Sequence, residues 1–521
     1  MGETLESAKP DAPANPARTA SEHTLSARAW TGLVGALEQN VFVVLILGLG
    51  VAALGWRIRG SLDADAWYTL VAGRTITMSG LPRHDSLTVL TAGREWVDQQ
   101  WLAHLALYDL WRVGGWPIAL LGVVACYAGT FALMAATARR LGASDRGAAL
   151  VAVVCFTAGF QNTAFRAQTA AYLLFGLVAG LLLLDERCPS RRVLLVFPLL
   201  VVWANIHGSV VLGAGLVALR GATLAASELH SRRPARGWLP RAGAFLVLPW
   251  ICTLASPYGL ALPGYYRRVL DNPTLDRVAS EWAATTVRNQ PFFFVLLFAA
   301  LVLSIRSRKA LTPFAQLALL GTALAGLFAI RNVIWFTFVA AATLPPALDE
   351  LWTPRDAPRR RRTNLALAAG GIVIAVVSMT AGETHDRAWF QTGYPGAAAR
   401  AVSDAAASNP KVRVFANDRY ADWLLFEDPQ LAGRVAYDIR FELLTRAQLS
   451  SVAAFLDEDG ASWERAASGY RLLVLDSAGD RGAIQTFERA RGTTVLYRDA
   501  NVVVLLRAAI AIRPRPLAVR R

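Results

Sequence analysis

The chain has 521 residues, 54% of them hydrophobic and 17% charged, with a mean hydropathy of +0.36. Soluble domains carry about 25% charged residues, so the composition excludes an ordinary soluble enzyme and fits a chain with several membrane spans. The formal net charge of +15 does not point to nucleic acid, because the basic residues stand in short clusters between apolar runs, as cytoplasmic loops do.

Residues 1–28 are rich in Ala, Pro, Ser and Glu and lack an apolar core. They read as a disordered cytoplasmic tail and not as a signal peptide. Apolar segments follow at 41–57, 115–138, 147–160, 169–184, 193–205, 208–226, 242–256, 291–305, 313–330, 332–348 and 364–381. A full span takes about 20 residues, and several of these are shorter. The pair 193–205 and 208–226 reads as a re-entrant hairpin or as one broken helix. The expected fold is mainly α: a polytopic membrane helix bundle of about eleven spans over 29–381.

Charge orients the bundle. Arg139 and Arg140, Arg191 and Arg192, Arg232 to Arg241, Arg306 to Lys309 and Arg359 to Arg362 all fall on one side if the spans alternate. By the positive-inside rule that side is cytoplasmic. The N-terminus is then cytoplasmic and the multi-pass chain lies in the plasma membrane. The first loop (58–101) and residues 382–521 lie outside. From 382 the composition changes. K-V-R-V-F-A, R-L-L-V-L-D and T-T-V-L-Y-R-D-A-N-V-V-V-L-L-R read as short strands, with helices at Leu449–Leu456 and Ala483–Arg491 between them. This predicts a small extracytoplasmic α/β domain. Cys126, Cys155, Cys188 and Cys252 form no CxxC or Cys/His spacing, so neither a disulfide framework nor structural zinc is indicated.

The first loop concentrates the chemistry. It holds Asp63, Asp65, Asp85, Glu95 and Asp98 together with Arg74, Arg83, His84 and Arg94. Asp63 and Asp65, at i and i+2 just past the first span, suit a shared divalent cation or a general base near the membrane surface. The same pair also fits a solvated loop.

The loop carries Asp63, Trp67, Leu70, Gly73-Arg74, Gly80, Pro82, Asp85, Thr91, Gly93, Trp96 and Trp101-Leu102. Downstream lie F-R-A-Q-T-A-A-Y at 165–172, W-A-N-I-H-G at 203–208, S-P-Y-G at 256–259, E-W at 281–282, R-N at 331–332, and N-D-R-Y-A-D-W-L-L-F followed by Y-D-I-R. In these stretches the chain resembles bacterial integral-membrane glycosyltransferases of the GT-C superfamily, related to dolichyl-phosphate-mannose protein mannosyltransferases. The chain departs from that pattern at Gln99-Gln100, where His-Glu often stands, and at Ala167, where proline does.

The resemblance implies sugar transfer from a polyprenyl-phosphate-linked donor, in a membrane lipid setting, to an extracytoplasmic acceptor it does not identify. It implies no nucleic-acid partner. An attacking hydroxyl needs a base, for which Asp63 is the first choice, with Asp65 or Asp85 in support. The phosphate leaving group needs cations in a low-dielectric site, for which Arg331, Arg166 and His207 are candidates. Arg331 also fits a snorkelling span end, and His207 a helix-packing hydrogen bond. Glu281 and Tyr258 are candidate substrate contacts. Trp67 reads as a packing or interfacial residue or as a platform for a sugar ring. The one cofactor expectation is a divalent cation, Mg²⁺ or Mn²⁺, at Asp63 and Asp65. A transporter or flippase of lipid-linked sugars, and a non-catalytic membrane scaffold, are the rival classes. Against the transporter, no inverted repeat with paired broken helices is apparent.

Overall fold

The computed structural model describes residues 31–57, 62–232, 235–270, 280–307, 309–352, 360–383, 385–460 and 463–508. The tail read as disordered, 1–28, lies outside them.

Every expected apolar segment falls on helix. After α1 (Thr31–Gln39) come α2 (Val41–Arg57), α3 (Ala64–Ser79), α4 (Trp101–Arg140), α5 (Asp145–Gly159), α6 (Ala167–Arg187), α7 (Val196–Trp203), α8 (Val210–Leu229) and α9 (Trp238–Thr253). Then follow α10 (Leu262–Leu270), α11 (Pro291–Arg306), α12 (Pro313–Phe328), α13 (Val333–Leu351) and α14 (Arg361–Glu383). Among the described residues, α4, α6, α8 and α14 are each long and apolar enough to cross a membrane. The α1–α2 pair, bent by 84°, makes a fifth if it is one span. The eleven expected crossings are therefore eleven helices, of which length and composition support four or five as crossings.

Two glycine-bearing sites shape the bundle. In α4 the helix breaks at Gly114 and Gly115, where Gly115 has φ 63°, a conformation that a side chain resists. This splits α4 into an outer leg from Trp101 and an apolar leg ending at Arg140. Between α2 and α14 the backbones nearly touch, since a Cβ on Gly48 would lie 2.2 Å from the Gly371 carbonyl. Small residues permit this close approach.

Beyond the bundle lie α15 (Arg387–Phe390), α16 (Gly396–Ser408), β1 (Val414–Ala416), α17 (Asp418–Glu427), α18 (Arg446–Leu456), β2 (Leu472–Asp476), α19 (Arg481–Glu488), β3 (Thr493–Arg498) and β4 (Val502–Arg507). The sheet order is β1-β2-β4-β3, with β1 parallel to β2 and the other pairs antiparallel. The long strand-like stretch at 493–507 is thus a hairpin.

The first loop is sewn onto this sheet. Val435 bridges Val414 on one side and Thr88 on the other. Val89 N–H and Leu90 N–H donate to the carbonyls of Val435 and Ala436 at 2.8 and 3.0 Å. The Val435 segment therefore covers the β1 edge, where unpaired backbone groups would otherwise recruit another chain, and the loop covers that segment in turn. Arg74 on α3 donates to the Leu425 and Phe426 carbonyls at 2.6 and 2.8 Å, satisfying groups that the end of α17 leaves unpaired. One apolar core runs from the bundle through α3 into this C-terminal unit, so the first loop and the C-terminal unit share one side of the bundle.

Candidate active site

Where α3, the 160–168 turn, the 204–209 turn, the 280–282 and 330–332 turns and the 438–442 segment meet, they enclose a cavity of about 1750 Å³. Asp63, Asp65, Arg166, His207, Glu281 and Arg331 all line it.

Asp63 is the N-cap of α3, and its Oδ1 accepts from the Ala66 N–H at 3.1 Å. A capping carboxylate commits one oxygen to the helix start and leaves the other to the cavity. Its surface reaches cavity solvent, but protein surrounds the group on its other sides. Burial, with the neighbouring Asp65 charge, pushes the Asp63 carboxyl up to about 7. Asp65 faces Arg166 at 3.6 Å. Burial and the Glu281 charge push its carboxyl up, against the pull of Arg166.

Arg166 and Arg331 share one carboxylate. Arg166 Nη1 is bonded to Glu281 Oε2, and Arg331 Nη1 lies 3.0 Å from Glu281 Oε1. Burial alone would raise the Glu281 carboxyl, yet the two guanidiniums outweigh it and hold it at about 2. Arg331 is braced by the Trp282 ring, 4.5 Å from its guanidinium carbon, and its carbonyl accepts from Gln168 Nε2 at 3.1 Å. His207 Nδ1 accepts from the Ser209 N–H at 3.0 Å, which leaves Nε2 to carry the proton. Burial, then the Arg331 and Arg166 charges, push its imidazolium well below the ordinary range, so the ring is neutral.

Three sequence candidates lie elsewhere. Asp85 is 3% exposed. It accepts from Thr88 and Thr91 and pairs with Arg440 at 2.7 Å, while Arg440 also binds Asp438 at 2.5 Å. Burial would raise the Asp85 carboxyl, but Arg440 and the threonine hydroxyl hold it below its usual range. This ion triad ties the first loop to the C-terminal unit, which corrects the catalytic expectation for Asp85. Trp67 is fully buried, edge-on to Trp116 and Tyr394 at 5.3 and 5.1 Å. Its place in the core corrects the sugar-platform alternative. Tyr258, 5% exposed, donates its hydroxyl to the Pro82 carbonyl at 2.9 Å and sits below Arg83. It packs the loop and does not line the cavity.

The sequence reading missed Gln168, His104 and Glu442, which line the cavity along with Trp282. Gln168 and Trp282 stand inside stretches already marked as unusual. Glu442 follows Y-D-I-R by two residues, and only the fold brings it near the first loop.

For a divalent cation, Asp63 and Asp65 offer two carboxylates, and no group of three or more His, Cys, Asp or Glu residues suited to a metal occurs among the described residues. That partial set suits Mg²⁺ or Mn²⁺ completed by substrate phosphate and water. The expected pair could hold such an ion only together with donor oxygens.

No family model and no curated protein matches the chain. Solved structures do. ArnT from Cupriavidus metallidurans bound to undecaprenyl phosphate aligns at 15% identity and TM-score 0.49, over 94% of this chain and all of that one. The archaeal oligosaccharyltransferase AglB from Archaeoglobus fulgidus, in complex with an inhibitory peptide and a dolichol-phosphate, aligns at 12% identity and TM-score 0.49, over 83% of this chain and 69% of that one. The arabinofuranosyltransferase AftD from Mycobacteria aligns at 15% identity and TM-score 0.48, over 89% of this chain and 41% of that one. At these TM-scores the alignments decide nothing about this chain's chemistry.

Proposed function

We propose that the chain is a membrane glycosyltransferase that moves a sugar from a polyprenyl-phosphate-linked donor to an extracytoplasmic acceptor. The observation that carries this reading is one cavity that joins a free, cavity-facing carboxylate, Asp63, to a pair of arginines that already bind an anion, Glu281.

Arg166 and Arg331 hold a carboxylate where a donor phosphate would sit. Phosphate offers more charge and more acceptor oxygens than Glu281, so it can displace that side chain and take up both guanidiniums. The His207 Nε2–H adds a neutral donor. These groups stabilise the charge that develops on the leaving phosphate in a recessed, partly desolvated site. Asp63, with its carboxyl near 7, takes the proton of the acceptor hydroxyl as that oxygen attacks the anomeric carbon. A divalent cation, if held by Asp63 and Asp65 with donor oxygens, would share in neutralising the phosphate. The lipid tail has its own lining. Leu212, Leu216 and Leu219 on α8 and Leu317, Leu320 and Leu324 on α12 extend the cavity as an apolar strip, at the i, i+3, i+4 spacing that puts them on one face of each helix.

The test is mass spectrometry of cell-envelope glycans with and without the chain. One sugar should disappear, return with the parent chain and fail to return with Asp63→Asn. Unchanged glycans would overturn the reading.

A further inference from the structure

The cavity has a second polar end, between the first loop and the C-terminal unit. Asp98, Gln99 and His104 line it from the first loop and α4, Tyr265 from α10, and Arg440 and Glu442 from the 438–442 segment. We propose that this end is the acceptor subsite and that it takes a hydroxyl- or amine-bearing glycan free of phosphate or other anionic groups. The assignment as acceptor subsite rests on the donor reading of the opposite end.

His104 Nδ1 lies 3.0 and 3.1 Å from the two Asp98 oxygens, and both residues are 1% exposed. An Nδ1–H donated to Asp98 leaves Nε2 as a hydrogen-bond acceptor. Glu442 makes no ion pair and no hydrogen bond to another residue among the described residues, and burial raises its carboxyl to about 7. Gln99 gives its amide N–H to the Ala204 carbonyl at 3.3 Å, which keeps its carbonyl oxygen for the cavity side. Arg440 keeps one donor, Nη1, without a partner among the described residues, and the other groups left over are acceptors, so the ligand they fit carries several O–H or N–H donors and an acceptor oxygen, as a sugar's hydroxyls do. Tyr265 adds an aromatic face suited to a sugar ring.

Charge then decides against an anion. Arg440 is the cation lining this end, and it is already bound by Asp85 and Asp438, so the triad carries a net negative charge. The Asp98–His104 pair is neutral or negative whichever way its proton lies, and so is Glu442. Arg268, which also acts on Glu442, is paired with Glu95 at 3.5 Å. Among the described residues, the cations at this end are already paired with carboxylates, whereas at the other end two arginines share Glu281. The two ends thus sort an anionic donor from an uncharged or amine-bearing acceptor, and like-charge contact is the element that rejects the wrong one.

The full chain in detergent micelles can be tested on immobilised neutral, amine-bearing and phosphorylated oligosaccharides, with undecaprenyl phosphate binding measured in parallel. The parent should retain neutral or amine-bearing glycans over phosphorylated ones. Glu442→Gln should weaken that retention by about ten-fold, the size of one lost charge-assisted hydrogen bond. Glu442→Arg should shift the preference toward phosphorylated glycans. Both variants should keep undecaprenyl phosphate affinity within about two-fold, which also reports that they are folded. Preference of the parent for phosphorylated glycans, or parental retention of neutral glycans by both variants, overturns the proposal. Glycan retention that depends on Glu442 in a chain that ignores undecaprenyl phosphate keeps the glycan site and overturns the donor reading instead.

Discussion

Asp63 does two jobs with one carboxylate, and its two oxygens separate them. One caps α3 and the other faces the cavity. Asparagine caps a helix about as well as aspartate but cannot take a proton. Asp63→Asn should therefore melt with the parent while turnover falls by about 10²–10⁴-fold, the usual share of a general base. The raised carboxyl also sets a pH direction. Its basic form fills as pH rises through about 7, so parent activity should climb across that window and the residual activity of the variant should not. For stability the sign is opposite. A carboxyl raised on folding favours the fold below its unfolded value, and that contribution is lost as pH rises through about 7. Asp85 is the contrast. Asp85→Ala removes one partner of a buried triad, an operation that typically costs about 3–5 kcal/mol. The variant should show a lowered melting temperature, and any activity it loses should follow the fraction of folded protein. A variant with parental stability and no activity would return Asp85 to the reaction.

At the scale of elements, two short 3₁₀ turns, Ser280–Trp282 and Ile330–Asn332, hold the anion site. Such turns are too short to be stable alone. They are tied together by the Ile330 N–H to Ala283 carbonyl bond at 3.1 Å and by the Glu281–Arg331 pair. If Glu281 occupies the place of the donor phosphate, Glu281→Gln removes the competitor. Undecaprenyl phosphate should then bind more tightly, by roughly ten-fold for about 1.4 kcal/mol, while the ligand-free protein loses stability because two buried guanidiniums keep less negative charge. Arg331→Ala should weaken the same binding by a similar factor. Arg331→Lys should fall between, since it keeps the charge and loses the planar fork. If Glu281→Gln weakened binding as much as Arg331→Ala does, Glu281 would be an orienting group and not a competitor.

For the whole molecule, the decisive feature is that the first loop and the C-terminal unit fold as one body. Thr88 to Leu90 join the sheet edge through Val435, Arg74 and Arg440 reach across, and Trp67 packs on Phe426 at 5.5 Å. A chain ended after Glu383 would expose that shared core and leave Asp85 without Arg440. It should insert poorly or aggregate, which size-exclusion chromatography of the detergent extract would read. A monodisperse truncated chain would contradict the shared core. Because the C-terminal unit sits on the same side as the first loop, the charge pattern predicts that both lie outside the cell. A reporter that fluoresces only in the cytoplasm, fused after Arg521, should stay dark. A bright fusion would reverse the orientation.

Local chemistry was legible in the sequence wherever it acts over a few residues. Hydropathy marked all eleven apolar helices, because each must bury or shed its own backbone polarity within a single segment. The change of composition near 382 marked the strands of the C-terminal unit. Asp63, Asp65, Arg166, His207, Glu281 and Arg331 were each singled out from their own stretch, and the structure lines one cavity with all six. What the sequence could not decide was which carboxylate meets which cation. Asp85 and Asp63 stand in the same loop, yet Asp85 finds Arg440, 355 positions away, and is buried, while Asp63 finds open cavity. Trp67 read equally as a packing residue or a sugar platform, and Tyr258 as a substrate contact, until the C-terminal unit and the first loop closed over them. Glu442 and His104 became part of one polar surface only when the 438–442 segment folded back onto α3 and the first loop. Burial and pairing over such separations depend on the summed packing of the whole chain, and they set charge, accessibility and so the division of roles that the tertiary structure alone supplies.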